Sequence, residues 1–265
     1  MKRLLCYNLK DLYLPLTRVT LPEAEAHHAI NVLRIKDGET VEAIDGEGLC
    51  LKVIIRISGK TAYLETAGST PPAAKESTIS TKLVLETAIL KSDAMEWLVE
   101  KCVELDASAI LPLITDHTVV RINAKGPDKF RDRWQKIADQ ALKQCGRLKR
   151  LEVHTPITLT ALLSELPPTL QSTRLWCDEE TCNKNDAPFI MDWLLDNKLG
   201  KNLDEIRLLI GPEGGWSTAE QKFLTNHSHD IHRISLGKTI LRAETAGIFA
   251  VSVIIGCLIN KRLPS

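Results

Sequence analysis

The stretch that decides how this chain folds is Leu-Ile-Gly-Pro-Glu-Gly-Gly-Trp, residues 209–216. An apolar run, Ile206 to Ile210, ends there in three glycines and one proline, and the helix-start signal STAE follows at once. Glycine has no Cβ, so the main-chain N–H and C=O groups of such a corner can approach a ligand closely. The alternative is an ordinary strand-to-helix turn, but the density of glycine and proline favours a binding site.

The corner lacks the features of two common phosphate sites. GPEGGW is not GxGxxG, and no Lys-Ser or Lys-Thr pair follows the glycines, so neither the dinucleotide fingerprint nor a P-loop is present. With few fixed charges, the corner suits a flat neutral group such as adenine, held by main-chain hydrogen bonds. Ser217 and Glu220 have the spacing of a capping box that opens the next helix.

Apolar runs typical of strands alternate with helical patterns over residues 78–265. The strand-like runs are 82–90 (KLVLETAIL), 109–114 (AILPLI), 151–154 (LEVH), 173–177 (TRLWC), 206–210 (IRLLI) and 231–236 (IHRISL). Asp93, in a capping box with Glu96, is predicted to cap the helix after the first run. The alternation predicts an α/β fold with a mostly parallel sheet and flanking helices, in which ligands bind beyond the carboxyl ends of the strands.

The amino-terminal part of the chain has a different texture. Short strand-like runs surround Gly46-Glu47-Gly48, which is typical of a hairpin turn, and a further run follows Ser58-Gly59-Lys60. The close spacing of these runs predicts a small β-barrel or a compact sheet. A proline-rich stretch of small and polar residues follows, and it cannot bury an apolar face. We therefore predict one domain over residues 1–70, a linker over 71–77 and a second domain over 78–265.

The composition indicates a globular protein without naming a partner. Of 265 residues, 44% are hydrophobic and 26% charged, and 34 basic side chains balance 34 acidic ones. Residues 121–150, however, hold ten basic and three acidic side chains. Charge alone leaves two interpretations of this stretch open, a nucleic-acid surface or a solvated helix face.

The cysteines and the first residues favour a cytoplasmic location. The seven cysteines are an odd number without CxxC spacing, which favours reduced thiols. The start, MKRLLCYNL, lacks the apolar core of a signal peptide. The longest apolar run, 246–259, is too short to span a bilayer and fits a buried helix, so we expect no membrane partner.

Three histidines, His227, His229 and His232, form an HxHxxH pattern that invites a metal ion. No cysteine ligand adjoins them, and surface histidines are the alternative, so we predict no metal site.

A second constellation is LGKTILRAETAGIFA, residues 236–250. Arg242 and Glu244 stand there at the start of a nearly all-apolar helix, where unpartnered charges are costly. Either the two side chains pair and close the helix end, or Arg242 holds an anionic or carbonyl group of a substrate.

Four segments together carry a resemblance to a known family. They are 32–39 (VLRIKDGE), 133–147 (RWQKIADQALKQCGR), 208–220 (LLIGPEGGWSTAE) and 236–246 (LGKTILRAETA). In this order they resemble the RsmE family, bacterial methyltransferases of the SPOUT class that make N3-methyluridine in 16S rRNA of the small ribosomal subunit. The resemblance covers nearly the whole chain. It implies a PUA-like RNA-binding domain, a SPOUT domain with a carboxy-terminal trefoil knot, S-adenosyl-L-methionine as cofactor, and a homodimer.

Placement after strands and the resemblance together imply roles for single residues. Arg242 would stabilise the uracil anion, and Glu213 would either remove the N3 proton or fasten its own turn. The cofactor pocket would be lined by Glu179, Ile210, Gly211, Gly214, Gly215, Leu236, Gly237, Ile240 and Leu241. RNA would be contacted by the basic and histidine side chains of His28, Arg34, Lys36, Arg133 and Arg147. For His28, a structural role beside His27 in the small domain is the alternative.

The chain departs from the family pattern in three places. Lys238-Thr239 replaces Pro-Arg beside the second bend, Asp106 replaces the glycine of a Glu-Leu-Gly, and residues 115–119 (TDHTV) replace Ser-Glu-Arg-Ser-Val. The first change borders the cofactor loop, and the last borders the expected RNA contact.

Other functions also stay open at this point. One is a non-catalytic RNA-binding protein with a relic pocket, and a second is methylation at a different rRNA site. A nucleotide-cofactor oxidoreductase is a third, although the missing dinucleotide fingerprint disfavours it.

Overall fold

The chain divides into two compact units, Met1–Ser77 with Asp139–Arg150, and Thr78–Ala138 with Leu151–Ser265. The composition of the chain did not predict that Asp139–Arg150 groups with the amino-terminal unit. The computed structural model describes residues 2–13, 18–66, 80–120, 122, 126–164, 171–183, 186–196, 203–226 and 231–260. The predicted linker, 71–77, lies outside the described residues.

The first unit is built on a five-stranded sheet. Its strands are β1 (Arg3–Leu5), β2 (Val19–Thr20), β3 (Thr40–Ile44), β4 (Cys50–Ser58) and β5 (Thr61–Thr66). They lie in the order β1-β3-β4-β5-β2, with β1 parallel to β3 and the other pairs antiparallel. The predicted hairpin at Gly46-Glu47-Gly48 is confirmed, since β3 pairs with β4, and a second hairpin joins β4 to β5.

Alternation along β4 explains the core of this unit. Val53 and Ile55 are fully buried, whereas Lys52 before them and Arg56 after them are exposed. One short helix, α1 (Glu23–His27), continues as a single wider π-helical turn, His28–Val32.

The second unit is built on a parallel sheet. Its strands are β6 (Lys82–Ala88), β7 (Ala109–Ile114), β8 (Glu152–Val153), β9 (Ile157–Thr158), β10 (Ser172–Cys177), β11 (Glu205–Ile210) and β12 (Ile231–Ile234). Their order is β12-β10-β11-β6-β7-β8, and β9 also pairs with β7. Every pair is parallel, so the predicted sheet is confirmed.

Helices cover both faces of this sheet. The helices after β6 are α2 (Ser92–Glu104), α3 (Pro127–Cys145), α4 (Leu159–Ser164), α5 (Ile190–Asp196), α6 (Thr218–Asn226) and α7 (Ala243–Asn260). From Asp139 onward, α3 groups with the first unit. On one face, Leu162 of α4 and Leu224 of α6 pack with Leu209 of the sheet. On the other, α7 packs on β6 and β11 and contacts α2 and α5. Gly247 permits this approach, because a β-carbon there would come within 3.0 Å of Leu98.

The predicted start of α2 is wrong. The helix begins at Ser92, and Lys91 occupies the N-cap without a side-chain bond. Asp93 lies in the first turn, where a negative charge complements the helix dipole. Glu96 closes no capping box with it and instead accepts the hydroxyl of Ser92 at 3.0 Å.

A buried charge cluster lies within the sheet. Glu86 of β6 is fully buried, and Arg174 of β10 binds both its carboxylate oxygens at 2.7 and 3.1 Å. Arg207 of β11 pairs with the same carboxylate and with Glu205. Parallel pairing brings these residues together across three strands, so each buried charge has a partner.

The apolar run 246–259 lies within α7, as predicted, and its residues Ala250, Val251 and Ile254 are fully buried. Within the described part of the chain, no helix combines the length and apolar character that a membrane crossing requires. The trefoil knot stays a prediction from the resemblance.

A candidate active site at the carboxyl ends of four strands

A cavity of about 960 Å³ opens where four adjacent strands of the second sheet end. Its walls are the segments that follow β6, β10, β11 and β12. The lining residues are 91–94, 177–179, 210–215, 236, 239–244 and 246. Because the strands are parallel, their carboxyl ends meet at one edge of the sheet, where open α/β sheets bind ligands.

The cavity collects most of the residues predicted from the sequence. Among the predicted cofactor residues, all but Gly237 line it, and so do Arg242 and Glu213. Sequence reasoning missed the wall after β6, residues 91–94, together with Cys177 and Asp178. No local pattern could have found that wall, because only the strand order shows that β6 lies beside β11.

The glycine loop, residues 211–216, is shaped by close contacts. A β-carbon on Gly211 would meet the indole of Trp216 at 2.8 Å, so only glycine fits there. Gly215 has a φ of +70° and donates its N–H to the carbonyl of Pro212 at 2.9 Å. Glycine therefore serves two different needs in one loop, a close approach and a left-handed backbone.

The predicted capping box at α6 is confirmed. The Glu220 carboxylate accepts the N–H of Ser217 at 2.9 Å, and Ser217 Oγ accepts the N–H of Glu220 at 3.2 Å. Glu220 also accepts the N–H of Asp116 at 3.0 Å, and the Asp116 carboxylate accepts the Ser217 hydroxyl. These bonds connect the end of β7 to the start of α6.

The turn after β10 supplies two carboxylates. Asp178 is buried, and its carboxylate pairs with Arg233 of β12 at 2.6 Å. Glu179 is half-buried, and its Oε1 lies against Gly215. Burial raises the pKa of the Glu179 carboxyl, and the neighbouring Asp178 charge raises it further. Glu179 is thus the carboxylate with a raised pKa in the cavity wall.

The bend after β12, which leads into α7, exposes both an aliphatic and a cationic side chain. Ile240 is 72% exposed although it is aliphatic, and it faces the cavity. Arg242 is also exposed, immediately before the first residue of α7. Among the described residues, no carboxylate pairs with the Arg242 guanidinium, so Arg242 and Glu244 do not close the helix end as a pair.

The side chain of Glu213 has a partner across the cavity mouth. Lys91, which follows β6, forms an ion pair with it at 3.1 Å. The lysine is largely exposed and the glutamate less so. This pair spans the ends of two neighbouring strands, β6 and β11.

The predicted RNA-binding residues fall in both units. Arg34 and Lys36 are exposed on the first unit, and Arg34 adopts a left-handed φ of 50°. His28 and Arg147, also in that unit, are partly buried, and burial lowers the pKa of His28. Arg133 lies on α3 in the second unit, where it pairs with Glu96 and donates to Ser92 Oγ at 2.9 Å.

Of the three histidines of the pattern, His232 belongs to the described residues. No group of three histidine, cysteine, aspartate or glutamate side chains there is arranged to hold a metal ion. His227 and His229 lie outside the described residues, and the exposed His232 packs its ring against Trp193 at 5.1 Å.

Comparison with known families finds matches to both parts of the chain. Residues 77–255 match the model of an RNA methyltransferase domain, and residues 21–66 match that of an RNA methyltransferase PUA domain.

Relatives of known name match most of the chain. One from Bacillus subtilis, named ribosomal RNA small subunit methyltransferase E, is 27% identical over 250 residues, covering 91% of this chain and 94% of the relative. One of the same name from Synechocystis is 29% identical over 240 residues, covering 89% and 72%.

Solved structures agree with the fold described above. A ribosomal RNA small subunit methyltransferase E from Neisseria gonorrhoeae, bound to S-adenosyl methionine, has a TM-score of 0.76 at 27% identity, with 96% of each chain covered. A structure from Legionella pneumophila, described as a methyltransferase in complex with the bound cofactor SAM, has a TM-score of 0.78 at the same identity and coverage.

Proposed function

This chain belongs to the RNA methyltransferase family, and from that premise we propose that it transfers the methyl group of S-adenosyl-L-methionine to N3 of one uridine in 16S rRNA. The observation that carries the proposal is the cavity, where the two glycine-containing bends meet beside Arg242, which pairs with no carboxylate among the described residues. The resemblance of the sequence to the RsmE family is confirmed by the named relatives.

The cavity fits S-adenosyl-L-methionine in size and in chemistry. Its volume, about 960 Å³, lies at the upper end of the range for small-molecule sites. Gly211, Gly214 and Gly215 present main-chain groups for an uncharged purine, and Ile240 and Leu241 offer apolar contact. Glu179 supplies negative charge to the wall, which suits a cationic sulfonium. When bound, the cofactor supplies an electrophilic methyl group.

The protein itself has to make uracil N3 nucleophilic. This nitrogen holds a proton and is a poor nucleophile until the proton is lost, which spreads negative charge over O2 and O4. A cationic donor aimed at those oxygens stabilises the anion. Arg242 has that role in the proposal, because its guanidinium lies at the cavity and is free of a carboxylate among the described residues. Positioning of the two reactants accounts for much of the remaining rate.

Glu213 has two candidate roles that the ion pair with Lys91 makes testable. As a general base it accepts the N3 proton, and as a fastener it holds the glycine loop to the end of β6 through Lys91. Glu213→Gln removes the base but keeps a hydrogen-bond acceptor for Lys91. A loss of kcat of about 100-fold, with the acid limb of the pH–rate profile removed, supports the base. An unchanged kcat supports the fastener.

The first unit would bind RNA as a PUA-like domain. Arg34 and Lys36 are exposed there and suit phosphate contacts, which add affinity without reading sequence. We further propose that His28, Arg133 and Arg147 assist, and that the protein works as a cytoplasmic homodimer on the small ribosomal subunit. Sedimentation of the purified chain tests the dimer.

The direct test of the function is methyl transfer in vitro. Small ribosomal subunits from a strain lacking this protein would be incubated with the protein and S-adenosylmethionine, and the modified base would be mapped by mass spectrometry. The proposal predicts a single new N3-methyluridine in 16S rRNA. Binding of RNA without methyl incorporation would support the relic RNA-binding protein, and binding of NADH but not S-adenosylmethionine would support the oxidoreductase.

A further inference from the structure

His117 bonds to the glycine loop from outside the cavity. Its Nδ1 lies 3.1 Å from the carbonyl oxygen of Gly214 and 2.8 Å from that of Gly215. Since a carbonyl oxygen only accepts, Nδ1 carries the proton and donates to both. His117 is exposed and does not belong to the described lining of the cavity, whereas both glycines do.

The glycine loop needs such external bonds to keep one conformation. Its glycines lose more backbone freedom on ordering than any other residue type. Inside the loop, the described main-chain bond is the one from Gly215 to Pro212. The remaining order comes from its neighbours. Asp116 accepts the hydroxyl of Ser217, and the Cβ of His117 lies 3.4 Å from where a β-carbon of Gly214 would be.

We propose that His117, assisted by Asp116, is a positioning residue of the cofactor site. It draws the carbonyl groups of Gly214 and Gly215 toward the end of β7, so that the cavity side of the loop keeps the shape that receives S-adenosylmethionine. The inference rests on the proposed function. It assigns His117, in the segment that departs from the family pattern, to cofactor affinity rather than to RNA contact or to proton transfer.

The imidazole provides this bond in both of its relevant charge states. The neutral Nδ1–H tautomer and the imidazolium carry the same Nδ1 proton. The contribution of His117 therefore depends on a donor at the Nδ1 position and not on charge. A catalytic base differs from such a clamp, because it acts only in the neutral form, through the lone pair on Nε2.

Two variants of nearly equal size isolate the donor. The side-chain N–H of asparagine reaches the place of His Nδ1, and leucine has the same number of heavy atoms without a donor. We expect His117→Leu to weaken the Kd of S-adenosylhomocysteine about tenfold by calorimetry, and His117→Asn to stay within about twofold of the unmodified protein. The KM for S-adenosylmethionine should rise in His117→Leu, with kcat at saturating cofactor nearly unchanged.

A matched control separates positioning from general stability. Gln135 of α3 donates to the carbonyl of Leu151 and accepts from the N–H of Val153, in the same unit and outside the described lining of the cavity. Gln135→Leu loses comparable bonds and should lower Tm without changing the Kd of S-adenosylhomocysteine.

Each outcome decides the inference. Equal binding by His117→Leu and the unmodified protein would overturn it, as would equal weakening by His117→Leu and Gln135→Leu. If His117→Leu does not fold, Asp116→Ala is compared instead, since it removes the acceptor of Ser217 but leaves the capping box intact. Weaker S-adenosylhomocysteine binding then supports the clamp, and unchanged binding overturns it. If the unmodified protein binds no S-adenosylhomocysteine, the proposed function itself has failed.

Discussion

The carboxylate of Glu179 lies directly against the main chain of Gly215. A β-carbon at residue 215 would overlap Glu179 Oε1, well inside van der Waals contact. The two residues follow the neighbouring strands β10 and β11, and both line the cavity. The width of the cavity at this point therefore depends on residue 215 having no side chain, in addition to its left-handed backbone.

Gly215→Ala should weaken cofactor binding, and Gly126→Ala is its matched control. The two glycines have nearly the same φ, +70° and +73°, but a β-carbon on Gly126 meets nothing within 4 Å. Both variants should lose about 1–2 kcal/mol of stability from the left-handed backbone. Calorimetry should show at least about tenfold weaker S-adenosylmethionine binding for Gly215→Ala alone. Equal binding by the two variants would remove the glycine loop from the cofactor site.

Glu179→Gln should make the empty protein more stable at neutral pH. The pKa of Glu179 is raised by burial and then by Asp178, so the folded protein holds this proton more tightly than the unfolded chain does. Stability is therefore lost as pH rises from the ordinary glutamate pKa through the folded pKa. At pH 7 the variant should have a higher Tm than the unmodified protein. Near pH 3, where Glu179 is protonated in both the folded and the unfolded chain, the two proteins should have the same Tm.

The same variant should weaken S-adenosylmethionine binding about tenfold, because a charged acceptor in the wall is lost. Glu180→Gln is the control, since Glu180 is exposed, lies outside the described lining and accepts from Gln221 at 3.1 Å. A Glu179→Gln protein that is less stable at pH 7 would contradict this account of the pKa.

Arg242→Ala should separate catalysis from cofactor binding. If Arg242 stabilises charge on the uracil, kcat should fall about 100-fold or more while the Kd of S-adenosylmethionine changes little. Lys238→Ala removes an exposed cation of the same bend that does not belong to the described lining, and its kcat should be nearly normal. If the affinity for S-adenosylmethionine fell by the same factor as kcat/KM, Arg242 would act in cofactor binding instead.

Asp106→Gly should stabilise the protein. Asp106 follows α2 with a φ of 65°. Its N–H bonds to the carbonyl of Val103 and the next N–H, of Ala107, bonds to that of Cys102, which is the helix end that favours glycine. We expect a gain of about 1 kcal/mol and a rise in Tm of roughly 2–4 °C, with S-adenosylmethionine binding unchanged. A lower Tm in thermal melts would show that the aspartate side chain stabilises this end by more than the backbone costs.

Features with a local cause were predictable from the sequence, and those set by register were not. The Ser217–Glu220 capping box depends on four consecutive residues, and each strand depends on a short apolar run. Both kinds of feature could therefore be recognised from a local stretch of sequence. The wall at 91–94 and the buried Glu86 cluster depend on which strands lie side by side, which no local pattern encodes. The start of α2 was missed because Lys91 occupies its N-cap without a capping side chain.

The most direct test of the central claim is a crystal structure of the protein with S-adenosylhomocysteine. We expect adenine to lie between the bends 211–215 and 236–241, with its edge bonded to main-chain groups and the sulfur facing Arg242. A ligand bound anywhere else, or a cavity filled by the side chains around it, would contradict the account.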